Sequence, residues 1–147
     1  MSESIEHLVR QLYGMGVIRR EVGRHALAEL GSQGFTALAV VHLHGPVRVS
    51  EVAQRLVVDM SVASRQVNAL IQAGYVERQP DENDARATLL TITSDGSRVL
   101  EESHRRMVHA FGRALDDWSD EDVAALAGGL ERLRAAFALT TDKEVTR

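Results

Sequence analysis

The stretch Val49-Ser50-Glu51-Val52-Ala53-Gln54-Arg55-Leu56, the turn Val57-Val58-Asp59-Met60 and the run from Ser61 to Gly74 decide the fold. Val52, Ala53 and Leu56 form the apolar stripe of a short helix, with Ser50 expected as its N-cap. After four turn residues, Val62, Ala63, Val67, Leu70 and Ile71 recur at helical spacing as the inward face of a second helix, Ser61–Ala73. Gly74 stands where a helix C-terminus favours a left-handed residue. Two strands are expected next, Val76–Gln79 and Ala87–Thr93, joined by the polar tip Pro80-Asp81-Glu82-Asn83-Asp84-Ala85-Arg86. Short helix, tight turn, amphipathic helix and hairpin is the order of a winged helix-turn-helix. There the first helix supports the second, which can then enter a major groove. The second helix would turn Ser61, Ser64, Arg65, Asn68 and Gln72 outward, with Gln66 beside them. Arg65 suits bidentate contact with guanine, and Gln66 and Asn68 suit adenine or a phosphate.

Working outward, residues Ile5, Leu8, Val9, Leu12, Val17, Ile18, Val22, Ala26, Leu27 and Leu30 predict one helix over Ser4–Leu30. Gly14, Gly16 and Gly23 each cost that helix about 1 kcal/mol, and the two that flank Met15 suggest a bend or a close approach. Gly31-Ser32-Gln33-Gly34 breaks it, and a buried helix is expected from Phe35 to His44, ended by Gly45-Pro46. Beyond the hairpin, Val99, Leu100, Met107, Val108, Phe111 and Leu115 line a long helix over Asp95–Asp117. Ser119 and Asp122 resemble a capping box at the start of a last helix, Asp120–Leu139, which would bury Val123, Leu126, Leu130, Leu133 and Phe137. The tail Thr140–Arg147 is polar and expected to fray. The fold expected is therefore mainly α with a small β-hairpin wing. Its regions are an N-terminal helix (1–30), a winged helix-turn-helix (31–96) and C-terminal helices (97–147).

Composition narrows the functions. With 44% apolar and 26% charged residues among 147, the chain is an ordinary globular one. No run nears the roughly 18 apolar residues of a membrane span, and Met1–His7 carries acids where a secretory leader is basic. A cytoplasmic protein with no membrane partner is expected. The absence of cysteine excludes thiolate metal sites, cysteine nucleophiles and thiol redox sensing. The net charge of −4 shows no bulk basic footprint, and residues 46–96 hold 5 basic against 7 acidic groups. Nucleic-acid binding would rest on a few placed cations. There is no phosphate-cradling glycine loop, no H-E-x-x-H and no G-x-S-x-G, so no enzyme is expected and no cofactor.

The segment Asp84-Ala85-Arg86-Ala87-Thr88-Leu89-Leu90-Thr91-Ile92-Thr93-Ser94-Asp95-Gly96 resembles the wing signature of the MarR family of bacterial transcription regulators. That signature reads D-x-R-x-x-x-L-x-[LI]-T-x-x-G, and every specified position is matched. Val52–Leu56 and Val67–Val76 also look like the family's supporting and recognition helices, with Val57 where many members have glycine. The resemblance implies that Arg86 reaches into a minor groove and that Asp84 holds its guanidinium without touching DNA. Arg78 would contact a phosphate or be a strand-end charge. It further implies a homodimer on a pseudo-palindromic double-stranded operator, acting as a repressor, with the terminal helices as the dimerisation region. A small anionic aromatic effector is also implied, with Tyr13, Met15, Arg19, His25 and His42 as candidate lining.

Two alternatives stand beside this reading. The histidines, notably His42-x-His44 with His7, His25, His104 and His109, raise a zinc-sensing regulator of the same fold. Residues i and i+2 of a helix face different ways, however, and no metal ligand set is expected. The other alternative is an interaction module that keeps the winged fold without DNA binding, which the acidic middle segment permits.

Overall fold

The computed structural model describes residues 2–25 and 30–144, with the side chains of 25, 32 and 138–144 left aside. The order is α1 (Glu3–Tyr13), α2 (Gly16–His25), α3 (Gly31–His44), α4 (Val49–Leu56), α5 (Met60–Gln72), β1 (Val76–Asp81), β2 (Asp84–Ile92), α6 (Ser94–Ala114) and α7 (Asp120–Glu144). The chain packs as two units, residues 1–110 and 111–147.

The long N-terminal helix predicted from periodicity is two helices. At Gly14 and Met15 the hydrogen bonds tighten to three-residue steps, Gly14 N–H to Gln11 O at 3.0 Å and Met15 N–H to Leu12 O at 3.1 Å. Glycine, with its weak helical preference, lets the ladder lapse there without disturbing the apolar spacing on either side. Residues 26–29, the last part of that predicted helix, lie outside the described residues. The next helix begins earlier than expected, because Gly31 takes a left-handed φ of 60° and Gly34 lies inside α3. A Cβ at Gly34 would meet only ordinary contacts at Leu30, so the residue fits the helix and does not break it.

The core gathers Ala37, Leu38 and Val41 of α3, Val47, Val52 of α4, Val67 and Leu70 of α5, Val76, Leu90 and Val99. α4 starts with Arg48 as N-cap, and not with Ser50: Glu51 reaches back so that its Oε1 accepts the Arg48 N–H at 3.4 Å. It ends at Val57, which adopts a left-handed φ of 54° with its side chain 91% exposed. α5 begins one residue before the predicted start, at Met60, and Gly74 follows its end at a φ of 81°.

The hairpin is longer and its tip shorter than predicted: Pro80, Asp81, Asp84, Ala85 and Arg86 belong to the strands, leaving Glu82 and Asn83 to turn. The antiparallel register runs regularly from Val76↔Ile92 to Pro80↔Thr88, then jumps to Asp81↔Asp84. A third segment joins at the base, where Val47 N–H bonds Leu90 O at 3.1 Å and Leu90 N–H bonds Val47 O at 2.7 Å.

α6 runs from Ser94, with Val99, Leu100 and Ser103 buried, and ends at Ala114, short of the predicted Asp117. The second unit opens α7 with the expected reciprocal cap: Asp122 N–H donates to Ser119 Oγ at 3.1 Å and Ser119 N–H to Asp122 Oδ2 at 3.3 Å. Helical backbone continues to Glu144 where fraying was expected from Thr140; residues 145–147 lie outside the described residues. The apolar stripe predicted to be buried there is open in this chain: Val123, Leu126, Leu130 and Phe137 are 39–65% exposed. No described helix is long and apolar enough to cross a membrane.

Candidate nucleic-acid interface

The inward face of α5 is fixed by Ala63, Val67 and Leu70, all buried, so the positions between them must turn outward. Ser61, Arg65, Asn68 and Gln72 are exposed, and Ser64 and Gln66 are half-buried. Two of these side chains are engaged inside the protein. The Gln66 amide donates to Gln33 Oε1 at 2.8 Å, tying α5 to α3, and Arg78 of β1 donates to Asn68 Oδ1 at 2.6 Å, tying the base of the hairpin to α5. The second bond brings Arg78 and Asn68 together on one surface. Arg65 and Ser61 hold no such bond among the described residues.

The geometry of the six specified wing positions separates structure from display. Leu90 is wholly buried and Ile92 packs against the core. Thr93 donates its hydroxyl to Gly74 O at 2.6 Å and accepts the Gly96 N–H at 3.0 Å, so it pins α6 to the end of α5. A Cβ on Gly96 would overlap the Tyr75 carbonyl oxygen, which leaves glycine as the only residue that fits. Asp84 Oδ1 accepts the Arg86 N–H at 3.0 Å. Asp84 thus holds Arg86 through its main chain; the guanidinium it was expected to hold makes no hydrogen bond or ion pair among the described residues. Arg86 is exposed, and among the described residues its side chain is the one signature side chain that neither packs in the core nor makes a hydrogen bond.

A cluster that sequence reasoning missed lies at the tip. Arg48 Nη2 stands 2.7 Å from Asp81 Oδ2 and 3.9 Å from Asp84 Oδ2. Asp81 is 9% exposed, and its other oxygen accepts the Asn83 N–H at 3.0 Å. The hydrogen bond from Arg48, aided by the Asn83 N–H, holds the Asp81 carboxyl below the usual carboxylate range; the same bond raises Arg48. The partners are 33 residues apart, and no local pattern links them.

The proposed effector residues do not converge. Arg19 lines a cleft of about 240 Å³ whose apolar wall is Val22, Leu56, Val58 and Val62. His42 lines a separate cavity of about 530 Å³ with Phe35, Leu100, Glu101 and His104. Tyr13 is 82% exposed; neither it nor Met15 borders these spaces, and the His25 side chain lies outside the described residues. His44 faces Arg55, with 3.4 Å between Nε2 and Nη1. Among the described residues, no three His, Asp or Glu side chains gather closely enough to hold a metal ion.

Comparison with known proteins fits this geometry. A MarR family model matches residues 30–87. The HTH-type transcriptional regulator YxaD of Bacillus subtilis is 32% identical over 93 residues, 63% of this chain and 65% of that protein. The multiple antibiotic resistance protein MarR of Salmonella typhimurium is 32% identical over 72 residues, 49% of this chain and 50% of that protein. The chain thus spans between half and about two thirds of these relatives' length. Among solved structures, a MarR family protein from Bacillus stearothermophilus superposes with a TM-score of 0.78 at 21% identity, covering 94% of this chain and 99% of that one.

Proposed function

We propose that the chain, which a MarR family model matches over residues 30–87 and which is 32% identical to YxaD over 93 residues, is a winged helix-turn-helix transcriptional regulator of the MarR family, a homodimeric repressor binding a pseudo-palindromic DNA operator. The observation that carries the reading is the display of Arg65 and Arg86. Both cations are exposed and neither is engaged among the described residues, while the rest of the motif builds their support. α5 enters the major groove, where Arg65 reads a guanine and Ser61 and Ser64 approach the backbone. Arg78, held by Asn68, meets a phosphate; Gln66 acts by fixing the helix to α3. Arg86 enters the flanking minor groove, whose narrowness concentrates negative potential. A net charge of −4 makes these few contacts, and not bulk attraction, the source of affinity.

The dimer is supported by apolar stripes that stand exposed among the described residues. On α1 these are Ile5, Leu8, Val9 and Leu12, each 39–53% exposed; on α7, Val123, Leu126 and Leu130. With Leu133 and Phe137, the α7 stripe steps by three and four residues alternately, the spacing of a helix–helix seam. Residues 1–30 and 97–147 are in this reading the dimerisation regions, and 31–96 the DNA-binding region. Two-fold symmetry then sets half-sites about 10 bp apart. Repression is steric, and a small anionic aromatic effector relieves it by shifting the spacing of the two α5 helices. The cleft at Arg19 offers such an anion a cation beside apolar walls.

Selection of duplexes from random DNA by the full chain tests this. The expected product is a palindrome with A·T-rich flanks, preferred at least about a thousandfold over shuffled sequence at physiological salt. Enrichment of no sequence would refute it.

A further inference from the structure

We propose that Arg48 is a positioning residue that locks the wing tip to the first helix of the helix-turn-helix, so that Arg86 and α5 move as one reading head. The inference rests on the DNA-binding reading above and assigns the device that makes it work.

The β-ladder does not hold the tip. Its last regular pair is Pro80↔Thr88, and the next, Asp81↔Asp84, leaves residues 85–87 of β2 without partners on β1. A hairpin end of this kind moves freely unless something outside it takes hold. Arg48 does so, through two carboxylates of the tip that act in the same manner. Asp81 Oδ1 takes the Asn83 N–H and Asp84 Oδ1 takes the Arg86 N–H, each at 3.0 Å. Their Oδ2 atoms both face Arg48 Nη2, at 2.7 and 3.9 Å. One guanidinium thereby collects the main chain of the whole tip, including the amide of Arg86 itself. Arg48 is in turn anchored as the N-cap of α4, its own N–H on Glu51 Oε1 at 3.4 Å. The planar, multiply donating fork of arginine suits two acceptors at once, which a lysine serves less well. Asp81 is nearly buried, so the contact is shielded from water on that side.

The test uses the full chain and the duplex that the wild type selects from random DNA. Without DNA, Arg48→Met is expected to raise amide exchange at Asn83 and Arg86 by about tenfold or more while Leu90 and α5 are unchanged. On DNA, Arg48→Met is expected to lose hydroxyl-radical protection of the flanking minor groove yet keep guanine N7 protection in the major groove. Arg48→Lys is expected to restore part of the former. Arg48→Met combined with Arg86→Ala is expected to bind no more weakly than Arg86→Ala alone, because both act through one guanidinium. Unchanged exchange at the tip, retained minor-groove protection, or losses that multiply in the double variant would each overturn the proposal. Should Arg48→Met raise exchange throughout the chain, Asp81→Asn takes its place with the same expectations. A wild type that selects no duplex refutes the DNA reading, and the exchange result still decides whether Arg48 holds the tip.

Discussion

Arg86 and Arg65 are both exposed cations on a scaffold with a net acidic charge, yet they are expected to fail differently when removed. Arg86→Ala is expected to weaken binding to every duplex and to lower the salt slope by about one, the signature of a lost backbone or groove cation. Arg65→Ala is expected to relax discrimination at one base pair by about 1–3 kcal/mol. Competition against duplexes substituted at each position checks both; interchanged outcomes would swap the two roles. Val57 carries a cost of its own. A β-branched residue with a φ of 54° sits where glycine is at ease, and with 91% of its surface exposed it gains nothing from packing. Val57→Gly is expected to stabilise the fold by about 1 kcal/mol, read as a higher thermal midpoint. A lower midpoint would show that the glycine's added freedom in the unfolded chain outweighs the relief.

Between elements, the Arg48–Asp81 contact links α4 to the hairpin, and its acid dependence has a definite sign. Asp81 is held below its ordinary pKa, first by Arg48 and then by the Asn83 N–H. Its contribution to stability is therefore complete above the unfolded value of about 3.9 and fades as pH falls through the lower folded value. Asp81→Asn is expected to melt lower than wild type at neutral pH, with the gap closing on acidification below about pH 4. A gap that stays constant would detach the carboxylate's charge from wing stability. This contact also marks the limit of what the sequence discloses. Val67, Leu70, Gly74 and the Ser119–Asp122 cap were legible because periodicity and capping are local. Arg48 and Asp81 were not, since their relation exists only once the hairpin folds against α4. The lapse at Gly14 was legible as a glycine cost, but an apolar spacing that continues past it conceals two helices in one pattern. Among the site residues, exposure of Arg65 and Arg86 followed from the pattern; the engagement of Gln66 by Gln33 and of Asn68 by Arg78 required packing to be seen.

For the whole molecule, the open stripes on α1 and α7 are the feature that one chain leaves unresolved. A homodimer is expected to show a thermal midpoint that rises with protein concentration, and Leu126→Arg with Leu130→Arg is expected to shift sedimentation toward monomer. A wild type that sediments as monomer throughout would remove the two-fold reading and the palindrome with it. The central claim, specific DNA recognition by a few placed cations, is met most directly by fluorescence anisotropy at several salt concentrations. The probe is duplex DNA from immediately upstream of the protein's own gene, set against a shuffled duplex. Tight binding preferred about a thousandfold or more over the shuffled duplex, with a steep salt slope that Arg86→Ala reduces by about one, is the predicted result. Equal affinity for both duplexes, together with no sequence enriched from random DNA, would contradict it and leave a winged fold that binds something other than DNA.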